Sequence, residues 1–122
     1  MEKIKNYSNL ISHGDAESRR IVLDVTEKTL QRLDAYKRIK SIMRLEGDML
    51  HIGIKSWDLS KKKNIYLVGA GKACNAMAMA VDEILGDRLT KGVAIVKISE
   101  PSDVFNKTEV YVGGHPLPNE TG

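Results

Sequence analysis

Cysteine and aromatic residues are scarce in this chain of 122 residues, which has one Cys, one Trp, one Phe and four Tyr, and each scarcity removes a class of function. Cys74 stands alone, so no internal disulfide can form, and no CxxC or histidine cluster offers the ligand spacing of a zinc site. That usage fits a reducing compartment. Charge of one sign is also lacking, with 19 basic residues against 16 acidic ones, and Lys61-Lys62-Lys63 is the one basic run. It reads as a solvated loop before a strand; with so few rings to stack on bases, nucleic-acid binding has little support. No apolar run approaches the roughly 18 residues of a membrane span, and Met1-Glu2-Lys3 opens without the apolar core of a signal peptide. The expectation is a soluble, cytoplasmic protein with no membrane partner, one domain in size.

What is present falls into three stretches. Residues 15–43 read as helical: Asp15 can cap, Glu17 suits the first turn, and Val22, Leu23, Val25, Leu30 and Leu33 fall on one broad face expected to meet a core. Asp34-Ala35 is a plausible break before a second helix. From 44 to 60 the character changes. Glu46-Gly47-Asp48 is a turn cluster, and the short apolar patches around Gly53 predict small antiparallel strands, with Trp57 as a packing anchor.

From Asn64 onward the pattern alternates between strand and helix: a strand at 64–68, a helix at 72–85, and strands at 93–98 and 109–113. Continuous β-branched runs of this kind suit buried parallel strands with helices across the faces. Gly86 suits a left-handed helix end, and Ala76 to Ala80 read as close packing. The organisation is therefore a helical arm (1–43), a β flap (44–60) and a βαβ core (64–122). Its class is α/β, Rossmann-like, with a mainly parallel sheet behind a helical arm and a small hairpin. Asn119 has the look of a helix N-cap with no helix after it, so the expectation is an incomplete domain, the N-terminal part of a longer protein.

Chemistry points to Gly69-Ala70-Gly71-Lys72-Ala73, where a strand turns into a helix start with a lysine at the tip. Backbone N–H groups and the helix dipole favour a phosphate there. A Walker A loop is disfavoured, because Gly71-Lys72 is followed by Ala73 and no glycine stands at the required upstream position. The dinucleotide fingerprint G-x-G-x-x-G is met at Gly69 and Gly71, but Cys74 takes the third glycine's place. A plain tight turn with a solvated Lys72 stays open at this point. So do two roles for His115: a hydrogen bond to its own loop, or a place in a site. His13 and His51 carry no partner pattern and read as structural or surface residues.

Taken in order, Val68-Gly69-Ala70-Gly71-Lys72-Ala73, then Glu83 to Leu89, then Gly114-His115-Pro116-Leu117-Pro118-Asn119-Glu120 closely resemble the N-terminal domain of the type II glycerate kinases. In that family a C-terminal MOFRL domain follows, and some members have been labelled hydroxypyruvate reductases. The resemblance implies transfer of the ATP γ-phosphoryl group to the 2-hydroxyl of D-glycerate, with Mg2+, giving 2-phosphoglycerate. It implies Lys72 as the group stabilising the transferring phosphoryl, with Gly69, Ala70, Gly71, His115 and Asn119 lining the substrate and nucleotide cleft. The family's later Ser-Gly-Gly-Gly-Ser turn and MOFRL domain are not in these residues, so the chain alone is expected to be inactive. Ile98 to Pro101 also departs from the Lys-Tyr-Gly-His-like turn of relatives. An NAD(P)-dependent hydroxypyruvate reductase and a non-catalytic phospho-ligand module are the alternatives, and a homodimer stays open.

Overall fold

A computed structural model describes residues 2–120 as two units, divided between Asp34 and Ala35. The first holds a single helical turn, α1 (Tyr7–Leu10), and a long helix, α2 (Ala16–Arg32). Asp15 starts α2 as its residue type predicts, its carboxylate accepting the N–H groups of Glu17 and Ser18, each at 3.1 Å. Glu27 accepts the N–H groups of Lys3 and Ile4, and Lys3 pairs with Asp34, so the ends of this unit are tied by polar contacts. The expected core-facing stripe is corrected here. No residue of α2 is buried, and Val22, Val25 and Leu33 are 62, 61 and 73% exposed. Periodicity identified a face but not anything to cover it.

The second unit begins with α3 (Ala35–Ile42), so the break at Asp34-Ala35 falls where the sequence placed it. A three-stranded antiparallel meander follows: β1 (Met43–Glu46), β2 (Met49–Ile52) and β3 (Lys55–Asp58). Gly47 and Gly53 make its two turns at φ +59° and +57°, a region that L side chains rarely adopt. The expected hairpin is thus present and continued by a second, making a three-stranded meander. Trp57, opposite Leu50, is 41% exposed and so is not the packing anchor expected of it. The anchor is Leu59 in the single 3₁₀ turn after β3, 4% exposed and packed with Met43, Leu85 and Leu89.

β4 (Tyr66–Ala70), α4 (Cys74–Leu85), β5 (Lys91–Val96) and β6 (Thr108–Val112) make the parallel sheet, in the order β4-β5-β6. Alternation along the strands sends Leu67, Ala94, Val96 and Val110 to the α4 side, where they pack with Cys74 and Ala78. The opposite side carries Tyr66, Val68 and Tyr111, which are 63, 83 and 47% exposed, so among the described residues α4 covers one face of the sheet. Gly86 ends α4 at φ +47° and ψ −122°, a positive-φ stop that leads into a 3₁₀ turn rather than a left-handed cap. Leu89, fully buried after that turn, contributes about 1.5–3 kcal/mol of burial energy.

A buried carboxylate sets the start of β6. Asp82, on α4 and 1% exposed, accepts the N–H of Asn106 at 2.8 Å, the N–H of Lys107 at 3.1 Å and the Thr108 hydroxyl at 2.5 Å. Burial pulls its pKa upward, but the hydrogen bonds from Thr108, Asn106 and Lys107 outweigh that and leave it lowered. Gly92 lies beside Thr108, whose side chain fills the space a Cβ would need. Strand register at β6 therefore depends on one acid and one glycine.

Candidate functional site

Three chain segments converge at the carboxyl ends of the parallel strands, where open α/β sheets hold their ligands. The first is the turn between β4 and α4. Gly71 has φ +116° with open space around it, so its conformation, not crowding, calls for glycine. Its N–H donates to the Ile95 carbonyl at 3.1 Å, which pins the turn to β5. Gly69 has a different reason to be glycine: a Cβ there would fall 2.5 Å from Cys74 Sγ. In G-x-G-x-x-G the third glycine admits the helix to the strand; here Gly69 makes room for the Cys74 side chain instead. Cys74 itself is buried, and burial pushes its thiol pKa up, so it is a packing residue and not a nucleophile.

The second segment is the end of β5, where Lys97 follows Val96, and the third is the loop after β6. Gly113 N–H donates to the Val96 carbonyl at 2.9 Å, fastening that loop to β5. Gly114 N–H donates to Asn119 Oδ1 at 3.0 Å. A Cβ on Gly114 would collide with the Leu117 carbonyl, so the loop folds tightly on this glycine. The His115 ring makes no hydrogen bond among the described residues.

Two adjoining cavities lie here. One, of about 180 Å³, is lined by Gly71, Lys72, Lys97, Gly113, Gly114 and His115 together with the end of β5. The other, of about 280 Å³, shares Lys72 and Lys97 and adds Asn75, Glu100 and Asp103. Asn75 Nδ2 donates to the Ile98 carbonyl at 2.7 Å and to Asp103 Oδ2 at 2.6 Å, which holds the segment after β5 against α4. On the other side of the turn a more apolar cavity of about 230 Å³ takes in Gly69, Ala70, Met77 and Val81. A separate cavity of about 260 Å³ beside Leu10, Val22 and Leu23 has Arg19 as its charged group, and that guanidinium donates to the Leu10 carbonyl. It offers no chemistry comparable to the cleft.

Of the residues singled out from sequence, the structure brings Gly71, Lys72 and His115 together in one cavity. Gly69 and Ala70 line the other side of the turn, and Asn119 holds the loop that presents His115. Sequence reasoning missed Lys97. The sequence pattern puts it inside a strand at 93–98, whereas β5 runs Lys91–Val96 and leaves Lys97 at the strand end. His51 is structural, with Nδ1 2.7 Å from Ser56 Oγ and Nε2 3.3 Å from Glu46 Oε2, and His13 is exposed. Among the described residues no three of His, Cys, Asp and Glu gather to hold a metal ion, and the glycine-lined cavity is basic.

A family profile described as "domain of unknown function (DUF4147)" matches residues 21–122. The chain is 26% identical over 102 residues to the glycerate 2-kinase of Pyrococcus horikoshii, covering 84% of this chain and 22% of that protein. It is 39% identical over 56 residues to the D-glycerate 2-kinase of Thermotoga maritima, covering 46% of this chain and 13% of that one. Against the glycerate kinase of Danio rerio identity reaches 50% over 50 residues, 41% of this chain and 10% of the relative. A crystal structure of a Pyrococcus horikoshii OT3 protein superposes with a TM-score of 0.67 at 26% identity, over 84% of this chain and 22% of that one. The chain thus spans less than a quarter of the length of each of these relatives. They are the kind of protein that the three sequence motifs resemble.

Proposed function

This chain belongs to the DUF4147 family, and from that premise we propose that its cleft handles the phosphoryl group in a glycerate 2-kinase, which moves the ATP γ-phosphoryl to the 2-hydroxyl of D-glycerate. One observation carries the reading: Lys72 stands at the tip of a glycine turn, without an ion pair among the described residues, in a cavity that His115 enters from a different strand. Phosphoryl transfer needs positioning and neutralisation of charge spread over the phosphoryl oxygens. A mobile ammonium at the N-terminal end of α4 supplies that charge where the helix dipole already favours an anion. His115 and the Gly113-Gly114 backbone form the facing wall, against which the acceptor is held.

The product on this reading is 2-phosphoglycerate, ATP is the donor, and the rest of the catalytic apparatus lies outside these residues, so the chain alone does not turn over. The relatives' names support kinase over reductase chemistry, and the glycine turn supports it too, because Cys74 stands where a dinucleotide fold has its third glycine. The test is an assay of the full-length gene product with two substrate pairs. ADP release from ATP and D-glycerate, without NADH oxidation in hydroxypyruvate, is the expected result. NADH oxidation without ADP release contradicts it.

A further inference from the structure

We propose that Lys97 is a second phosphoryl-binding residue of this cleft, acting with Lys72 as a two-lysine clamp on one dianionic phosphoryl group. The inference rests on the reading of the cleft as a phosphoryl site and adds to it a residue and a charge requirement. Lys72 and Lys97 come from different strand ends, yet both line the two adjoining cavities. Neither side chain makes a hydrogen bond or ion pair among the described residues, as is also true of Lys5, Lys28, Lys55, Lys62 and Lys63; what sets Lys72 and Lys97 apart is that they line the same cavities at the strand ends. In the cavity of about 180 Å³ the two like charges meet no acid, and an anion there lowers their mutual repulsion.

The surroundings say on which side the anion sits. The cavity of about 280 Å³ carries the carboxylates of Glu100 and Asp103, which repel it. The cavity of about 180 Å³ has no acid and is edged by Gly71, Gly113, Gly114 and His115, so an anion there meets backbone and both ammonium groups. A phosphoryl group carrying close to two negative charges at neutral pH matches two lysines, and a carboxylate carrying one does not. The acids on the far side are left to receive hydroxyl groups of whatever bears the phosphoryl. That bearer is either the nucleotide or the phosphorylated acid, and both share the chemistry that Lys97 recognises.

The experiment is a titration of the 122-residue chain with inorganic phosphate and, at matched ionic strength, with acetate, followed by 1H–15N shifts. Lys72→Gln, Lys97→Gln, Lys97→Arg and a Lys62→Gln control are compared; Lys72 and Lys97 are exposed and unpaired, so their replacement leaves the packing intact. Phosphate affinity is expected to fall roughly tenfold in Lys72→Gln and in Lys97→Gln, recover in Lys97→Arg, and stay unchanged in Lys62→Gln, with acetate weaker throughout. Parallel titrations with ATP and 2-phosphoglycerate assign the bearer by which of them loses affinity in Lys97→Gln. Loss in Lys72→Gln with none in Lys97→Gln overturns the clamp and leaves the phosphoryl cleft standing. No binding, or binding indifferent to both lysines, overturns the cleft as well.

Discussion

The two sheets of the second unit, built from strands of similar length, treat their polar side chains in opposite ways. In the antiparallel meander β1–β3 most charges apart from Lys55 settle locally: Arg44 pairs with Glu46, His51 lies between Glu46 and Ser56, and Arg88 reaches Asp48 from outside. Its turns are single glycines, and each strand pairs with the next in sequence. In the parallel sheet β4–β6 the partners come from far along the chain, and the polar network splits. Asp82 is fully engaged beneath the start of β6, while Lys72 and Lys97 at the opposite strand ends have no partner among the described residues. The contrast is between charges paired within a few residues and two cations left without a hydrogen-bonded partner at the strand ends, which is what the proposed phosphoryl site builds on.

The sharpest way to break this contrast is to remove the charge at the tip of the turn. On the proposed kinase reading, Lys72→Ala is expected to lower turnover of the full-length gene product by ~10²-fold or more, as for loss of one transition-state donor, measured as ADP release at saturating substrates. Near-normal turnover removes Lys72 from the chemistry. Next in size is the network that anchors β6. Asp82→Ala strips the acceptor from two N–H groups and a buried hydroxyl and is expected to cost about 3 kcal/mol in urea unfolding. Because the Asp82 pKa is lowered by folding, its contribution is fully present above the ordinary carboxylate pKa and is lost as pH falls through the lowered value. The wild-type chain should therefore lose stability in that acid range, and Asp82→Asn should show a shallower acid limb.

The glycines separate two physical causes within one turn. Gly71→Ala places a side chain at φ +116° in open space and is expected to cost about 1–3 kcal/mol through backbone strain. Gly69→Ala forces Cys74 Sγ aside at a comparable cost of about 1–3 kcal/mol, and Cys74→Ala should recover part of it, whereas it cannot rescue Gly71→Ala. At the small end, Glu46→Gln in the exposed meander should leave the melting temperature essentially unmoved, since surface ion pairs contribute little. A large loss there would mean the meander is not the self-satisfied region described above.

What was legible in the sequence is what local chemistry decides. Asp15 as a cap, the break at Asp34-Ala35, the Glu46-Gly47-Asp48 turn and the order of strands around α4 all follow from neighbours within a few residues. That Gly71, Lys72 and His115 line one cavity follows from their places at the ends of neighbouring parallel strands, which the alternating pattern declares. The exposed stripe of α2 was not legible, since periodicity marks an apolar face without saying what lies against it. Leu59 rather than Trp57 is the anchor because β3 ends at Asp58 and the 3₁₀ turn that follows carries Leu59 into the core, a change of backbone that a short irregular run does not declare. Lys97 belongs to no motif, and its meaning comes from sharing a cavity with Lys72 across 25 positions of sequence.

The most direct test of the contrast is a residue-resolved map of anion binding on this chain. Inorganic phosphate titrated into the 15N-labelled protein should shift the amides of Gly69 to Ala73, Lys97 and Gly113 to His115 in a saturable way and leave those of Met43 to Asp58 where they are. Saturable shifts in the meander, or none at the strand ends, would contradict the account.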